Sequence, residues 1–152
     1  MSDRWVLEAS LGDGTIGRVE FFRLRDRVAH RVIVQRDAVV STVAETTVWE
    51  SIEGDDLQHW PASPAYQEVS IETIGDRDVA LLVGMAGKSH WSLSVDIDAD
   101  RGSIRFDAAC RIAVPPESLG STYNGPADSV ICDLATKIDE NADSWCAKPE
   151  TI

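Results

Sequence analysis

Cysteine, histidine, basic residues and long apolar runs are all scarce in this chain. Its three cysteines, Cys110, Cys132 and Cys146, are an odd number with no CxxC pair and no histidine at metal-ligand spacing. That argues against a disulfide framework and against a zinc site, and predicts reduced thiols, with Cys110 in the core. Fourteen lysines and arginines face 26 aspartates and glutamates, a formal net charge of -12. Without a basic cluster, such a surface repels phosphate backbones and anionic lipid, so neither nucleic acid nor a membrane is an expected partner. No apolar stretch approaches the roughly 20 residues of a membrane span. The opening Met1-Ser2-Asp3-Arg4-Trp5 has neither the basic leader nor the apolar segment of a signal peptide, so the expected location is cytoplasmic.

What is present is a globular composition, 43% hydrophobic against 26% charged, in a length of 152 residues that suits one domain. The clearest pattern lies at 90–114. Trp91, Leu93, Val95 and Ile97 alternate with His90, Ser92, Ser94, Asp96 and Asp98. Ile104, Phe106, Ala108, Cys110, Ile112 and Val114 alternate with Ser103, Arg105, Asp107, Ala109 and Arg111. Both runs have the period of a half-buried strand, and Ala99-Asp100-Arg101-Gly102 makes a hairpin loop between them. Setting Asp98 opposite Ser103 brings every apolar residue against an apolar one, Asp96 against Arg105 and His90 against Arg111. A slip of one residue turns one strand's apolar set to water, so this register is strongly specified.

The rest reads as a continuation of that meander. Strands are predicted over 5–8, 19–24, 28–34, 38–44, 67–74 and 79–83, with a weaker one near 46–52. The run 79–83 is apolar on both faces, as in a strand covered on both sides. His30 shares the parity of Val28, Val32 and Val34, which makes it a core histidine with one hydrogen-bond partner. After Pro115-Pro116 a loop is expected at 120–126. Ile131, Leu134, Ile138 and Trp145 then recur near helical spacing and predict a C-terminal helix over about 129–146. On that helix Cys132 and Cys146 lie about 21 Å apart and cannot bridge. The expected fold is mostly β: an antiparallel β-barrel or two-layer sandwich of eight or nine strands with one C-terminal helix. The domain comprises a β meander over 4–114 and a loop and helix over 115–152. Short sequential hairpins favour up-and-down order and therefore the barrel.

Several spellings invite chemistry. Gly12-Asp13-Gly14-Thr15-Ile16-Gly17-Arg18-Val19 has the G-x-G-x-x-G-x-V form of a kinase phosphate-covering loop. Asp13 puts negative charge where phosphates sit, neither HRD nor DFG follows, and a strand follows the last glycine where a dinucleotide site needs a helix. The glycines are better read as a hairpin connection. A Ser-His-Asp triad on the polar face fails on distance, since Asp107 lies four residues, about 13 Å, along the strand from the partner of His90. Asp96, Asp98 and Asp100 have the spacing of the first calcium-loop ligands, but Arg101 stands where the sharp turn needs glycine.

The one long connection, 54–65, carries His59 and Trp60 and leads to Tyr66. These form either an aromatic rim at a pocket mouth or a plug for one end of the sheet. The candidate ligand-binding residues are therefore His59, Trp60, Tyr66, His90 and Arg111, with no catalytic residue, metal ligand or cofactor assigned. The expected function is that of a cytoplasmic, non-catalytic β module binding a small ligand or a protein. The alternative is an enzyme or metal-binding protein using the face around His90 and Arg111 or the acidic tip at Asp96 to Asp100. Oligomeric state, a homo-oligomer included, is left open.

Overall fold

Apolar alternation, repeated hairpin by hairpin, resolves into strands throughout the computed structural model, which describes residues 3–36, 45–117, 119–125, 128–133, 144–146 and 150–151. The first four strands are β1 (Arg4–Gly12), β2 (Thr15–Leu24), β3 (Arg27–Arg36) and β4 (Glu45–Ser51). The next four are β5 (Glu68–Ile74), β6 (Arg77–Ala86), β7 (Ser89–Asp98) and β8 (Ser103–Arg111). They are followed by β9 (Gly120–Gly125), β10 (Asp128–Asp133), β11 (Ser144–Cys146) and β12 (Glu150–Thr151). Each group of four is an antiparallel meander, and the two meanders belong to different sheets. The first sheet has the order β1-β2-β3-β4-β9-β10; the second runs β5-β6-β7-β8, with β11 and β12 both paired to β8. Up to Gly125 this makes nine strands, five in one sheet and four in the other.

The expected class, mostly β and antiparallel, is the observed one, in its two-layer form. The barrel favoured by the hairpin order does not close, because the chain leaves β4 through the long connection and starts a second sheet. Among the described residues, backbone pairing between the two halves of the sandwich consists of one isolated bridge, Val28 with Tyr66. Instead the sheets pack face to face, β1 against β6 and β7 and β3 against β5. Val19, Phe21, Val28 and Val32 of the first sheet and Ala80, Leu82, Val95 and Ile104 of the second are almost wholly buried between them. Each of the larger ones contributes about 1.5–3 kcal/mol by leaving water.

The register of the β7–β8 hairpin is the one the alternation requires: Ile97 with Ile104, Val95 with Phe106, Trp91 with Cys110 and His90 with Arg111. The glycine-rich stretch is a hairpin connection. Gly12, Asp13 and Gly14 have φ of 90°, 51° and 70°, left-handed values that suit glycine and that aspartate tolerates. Gly17 serves packing, since a Cβ there would lie 2.9 Å from Leu11 Cδ1 and 3.2 Å from Ile104 Cδ1.

Four expectations differ from what is observed. Residues 120–125 are not a loop but β9, which pairs with β4 (Ser51 with Tyr123) and with β10. Ser121 and Tyr123 turn inward there, a two-residue alternation too short to read among glycine and asparagine. The C-terminal helix is absent among the described residues. Asp128–Asp133 and Ser144–Cys146 are strands, edge pairing having prevailed over helical spacing, while residues 134–143 lie outside the described set, as does the strand expected over 38–44. Strand β6 is covered on both faces only at Val79; further along, Leu81, Val83 and Met85 are 37%, 48% and 47% exposed. Finally, Asp96 makes its ion pair with Arg77 at 2.7 Å and not with its register partner Arg105.

The outer faces of both sheets carry ion pairs and exposed apolar side chains. On the first sheet the buried carboxylate of Glu20 draws in Arg4 at 2.7 Å and Arg18 and Arg31 at 3.5 Å. Arg31 also reaches Glu50 at 3.3 Å and lies 4.9 Å from the centre of the Phe22 ring. Much of that face is thus occupied by paired charges. On the second sheet Arg77 pairs with Asp96 at one end of β6, while Leu81, Val83 and Met85 stay open to solvent, as do Val6, Ile16 and Val48 on the first sheet.

Candidate functional site

Parity places the site on the outer face of the second sheet. Residues 83 and 85 of β6 point outward, opposite Ser92 and His90 of β7, which in turn lie opposite Ala109 and Arg111 of β8. Two rows cross the sheet, Val83-Ser92-Ala109 and Met85-His90-Arg111, and above them is a cavity of about 530 Å³. Gln67 and Glu68 complete its wall on the β5 side. Gln67 also holds the backbone of β6 as a neighbouring strand would: its Nε2 donates to the Met85 carbonyl at 3.1 Å and its Oε1 accepts the Met85 N–H at 2.7 Å. This corner of the cavity is therefore built on a fixed strand.

Of the candidate residues read from the sequence, His90 and Arg111 are together in this cavity; His59, Trp60 and Tyr66 do not line it. The exposed His59 packs its ring on the β6–β7 turn, where a Cβ on Gly87 would meet His59 Cγ at 2.8 Å. Trp60 is half-buried and packed against the core, and Tyr66 is only 2% exposed. The connection is also tied down by Ser63, whose hydroxyl donates to the Thr122 carbonyl at 3.2 Å and accepts the Thr122 N–H at 3.3 Å. Trp60 and Tyr66 therefore serve packing against the core, and His59 lies outside this cavity. Members not among those candidates include Val83, Met85, Gln67, Glu68 and Ser92. Their signal was β6 itself: a strand apolar on both faces is either covered twice or offers one face to something else.

A second cluster lies inside. The His30 ring is bonded through Nε2 to the Tyr123 hydroxyl at 2.6 Å, and its backbone N–H donates to Ser51 Oγ at 3.0 Å. Phe21 and Phe106 stand within 6.0 Å, centre to centre, and Nδ1 has no hydrogen-bond partner. This is the core histidine expected from its parity, and burial pushes its pKa down to about 4. Burial pushes the nearby Glu53 carboxyl up to about 7, against the opposing pull of a Ser51 hydrogen bond and of Arg27. Arg27, 1% exposed, directs Nε and Nη2 onto the Asp26 carboxylate at 3.0 and 3.2 Å, and that hydrogen bond holds Asp26 below the usual carboxylate range. Tyr66, also buried beside Tyr123, has its phenol pushed well above its ordinary value. These groups adjust stability to pH, and none of them lines the cavity.

At the acidic hairpin tip two of the three carboxylates, Asp96 and Asp98, have internal partners. Asp98 Oδ1 accepts the N–H groups of Asp100 and Arg101 at 3.1 and 3.2 Å, and Arg77 pairs with Asp96. Among the described residues no three His, Cys, Asp or Glu side chains are grouped to hold a metal ion. Asp107 lies opposite Ser94, four residues along β8 from the partner of His90, so the polar face forms no triad.

No protein-family model matches this chain, and no curated protein or solved structure is significantly similar to it. Among the described residues no helix is long and apolar enough to cross a membrane.

Proposed function

We propose that this protein is a non-catalytic binding module that holds a small ligand on the concave outer face of its second sheet. The observation that carries this reading is the cavity of about 530 Å³ floored by the half-exposed Val83 and Met85. Small-molecule sites typically enclose about 300–1,000 Å³ and combine apolar walls with a few polar groups that orient the ligand. Here those groups are His90, Ser92, Arg111 and Glu68. They form no nucleophile–base pair, which favours retention of a ligand over its conversion.

The dye 8-anilino-1-naphthalenesulfonate tests this reading, because its fluorescence rises when it enters an apolar site. Saturable enhancement is expected with the native protein at neutral pH. In Val83→Glu a carboxylate enters the floor, and the affinity should fall by about tenfold or more. The variant's side chain lies on the exposed face, so its melting temperature should stay within a few degrees of the parent's. Equal dye binding by the two proteins, or none by either, would remove this assignment.

A further inference from the structure

Resting on that reading, we propose that the ligand of this face is a small organic carboxylate with an apolar body, its anion set against Arg111 beside His90 and its hydrocarbon part lying over Val83 and Met85. The cavity is polarised. Arg111 marks one end on β8, Glu68 marks the other on β5, and the apolar floor lies between them on β6. Arg111 is two strands from Met85, about 10 Å at the usual strand spacing, which suits a ligand with one charged end and a short apolar tail. Glu68 repels an anion from the opposite end and so fixes the direction in which the ligand lies.

The state of Arg111 supports the choice of anion. Arg4, Arg18, Arg27, Arg31 and Arg77 each have a carboxylate oxygen between 2.7 and 3.5 Å away. Arg111, like Arg23, Arg25 and Arg105, has no carboxylate partner among the described residues, and of these it is the one that lines the cavity. A guanidinium left open at the edge of an apolar cavity matches a planar carboxylate, which it can bind through two parallel hydrogen bonds. Ser92, in the adjoining row, adds a hydroxyl donor within the same wall.

Three probes of equal chain length separate the charge from the hydrocarbon: octanoate, 1-octanol and octylamine, each titrated into the full chain at concentrations below aggregation and followed by amide ¹H–¹⁵N spectra. Octanoate should shift the signals of Val83, Met85, His90 and Arg111 and bind at least about fivefold tighter than the other two. Arg111→Gln should weaken octanoate about tenfold, the value of one charge-assisted pair, and leave 1-octanol unchanged. Arg111→Lys, which keeps the charge but not the fork, should recover part of the loss. If 1-octanol or octylamine binds these residues as tightly as octanoate, or Arg111→Gln has no effect, the carboxylate assignment falls while the binding face stands. If none of the three moves these signals, both fall.

Discussion

Gly84→Ala should cost about 3 kcal/mol or more, lowering the melting temperature by roughly 6–12 °C in a chain of this size. Gly84 lies on the inward side of β6 opposite Trp91, and the backbone at Ala65–Tyr66 runs directly across it. An added Cβ would collide with the Ala65 carbonyl oxygen and lie 2.6 Å from Tyr66 Cα. Neither contact is the far end of a flexible side chain. The crossing segment is held by Val28 N–H donating to the Tyr66 carbonyl at 2.6 Å and Gln67 N–H donating to the Val83 carbonyl at 2.9 Å. Moving it aside breaks the bridge between the sheets. Gly75→Ala is the control: φ is 67° and nothing lies within 4 Å of an added Cβ, so only the left-handed backbone is penalised, by about 1–2 kcal/mol. Urea unfolding of both variants checks the pair; a Gly84→Ala protein within 1 kcal/mol of the parent would contradict the crossing.

Acid should strip about 3 kcal/mol of stability through His30 alone as pH falls from 6.5 to about 4. In the unfolded chain this imidazole takes up a proton near 6.5, whereas in the folded protein it stays neutral until about pH 4. The unfolded state therefore binds more protons in that window and gains on the folded one. Glu53 acts in the opposite sense. Its unfolded carboxyl ionises near 4.5 and its folded one near 7, so its contribution is complete below 4.5 and is lost as pH rises through 7. The two windows overlap, and in the parent protein they partly cancel. Glu53→Gln separates them. It should gain about 1–2 kcal/mol above pH 7, less than full burial would give because the residue keeps part of its surface in water, and should show a steeper acid decline than the parent. In the double variant His30→Phe/Tyr123→Phe, which removes the imidazole and its hydroxyl partner together, that decline should flatten. Chemical unfolding at pH 4, 5.5, 7 and 8 measures these terms; an unchanged slope in the double variant would show that His30 is not the buried titrating group.

Local alternation carried much of the fold. It set which face of β7 and β8 is buried, and with parity known, one hairpin loop was enough to fix every cross-strand partner from His90–Arg111 to Asp98–Ser103. The same parity assigned His30 to the core. Its partner Tyr123 was out of reach, because it comes from a strand 93 residues away whose own alternation spans only a few positions. The division into two sheets was equally hidden, since a meander reads the same whether its end meets its own beginning or a new layer. The cavity lay between these cases. His90 and Arg111 were visible as register neighbours, but the apolar floor was not, because a doubly apolar β6 gives no sign of which face lacks a cover.

The most direct test of the binding face uses the protein's own composition. The chain contains two methionines, Met1 and Met85. Labelling the methionine methyl groups with ¹³C gives a signal from the cavity floor, assigned by its loss in Met85→Leu. Titrating a panel of small apolar acids, alcohols and amines into the labelled protein should move the Met85 signal in a saturable way. A Met85 signal unmoved by every compound would contradict a ligand site on the outer face of the second sheet.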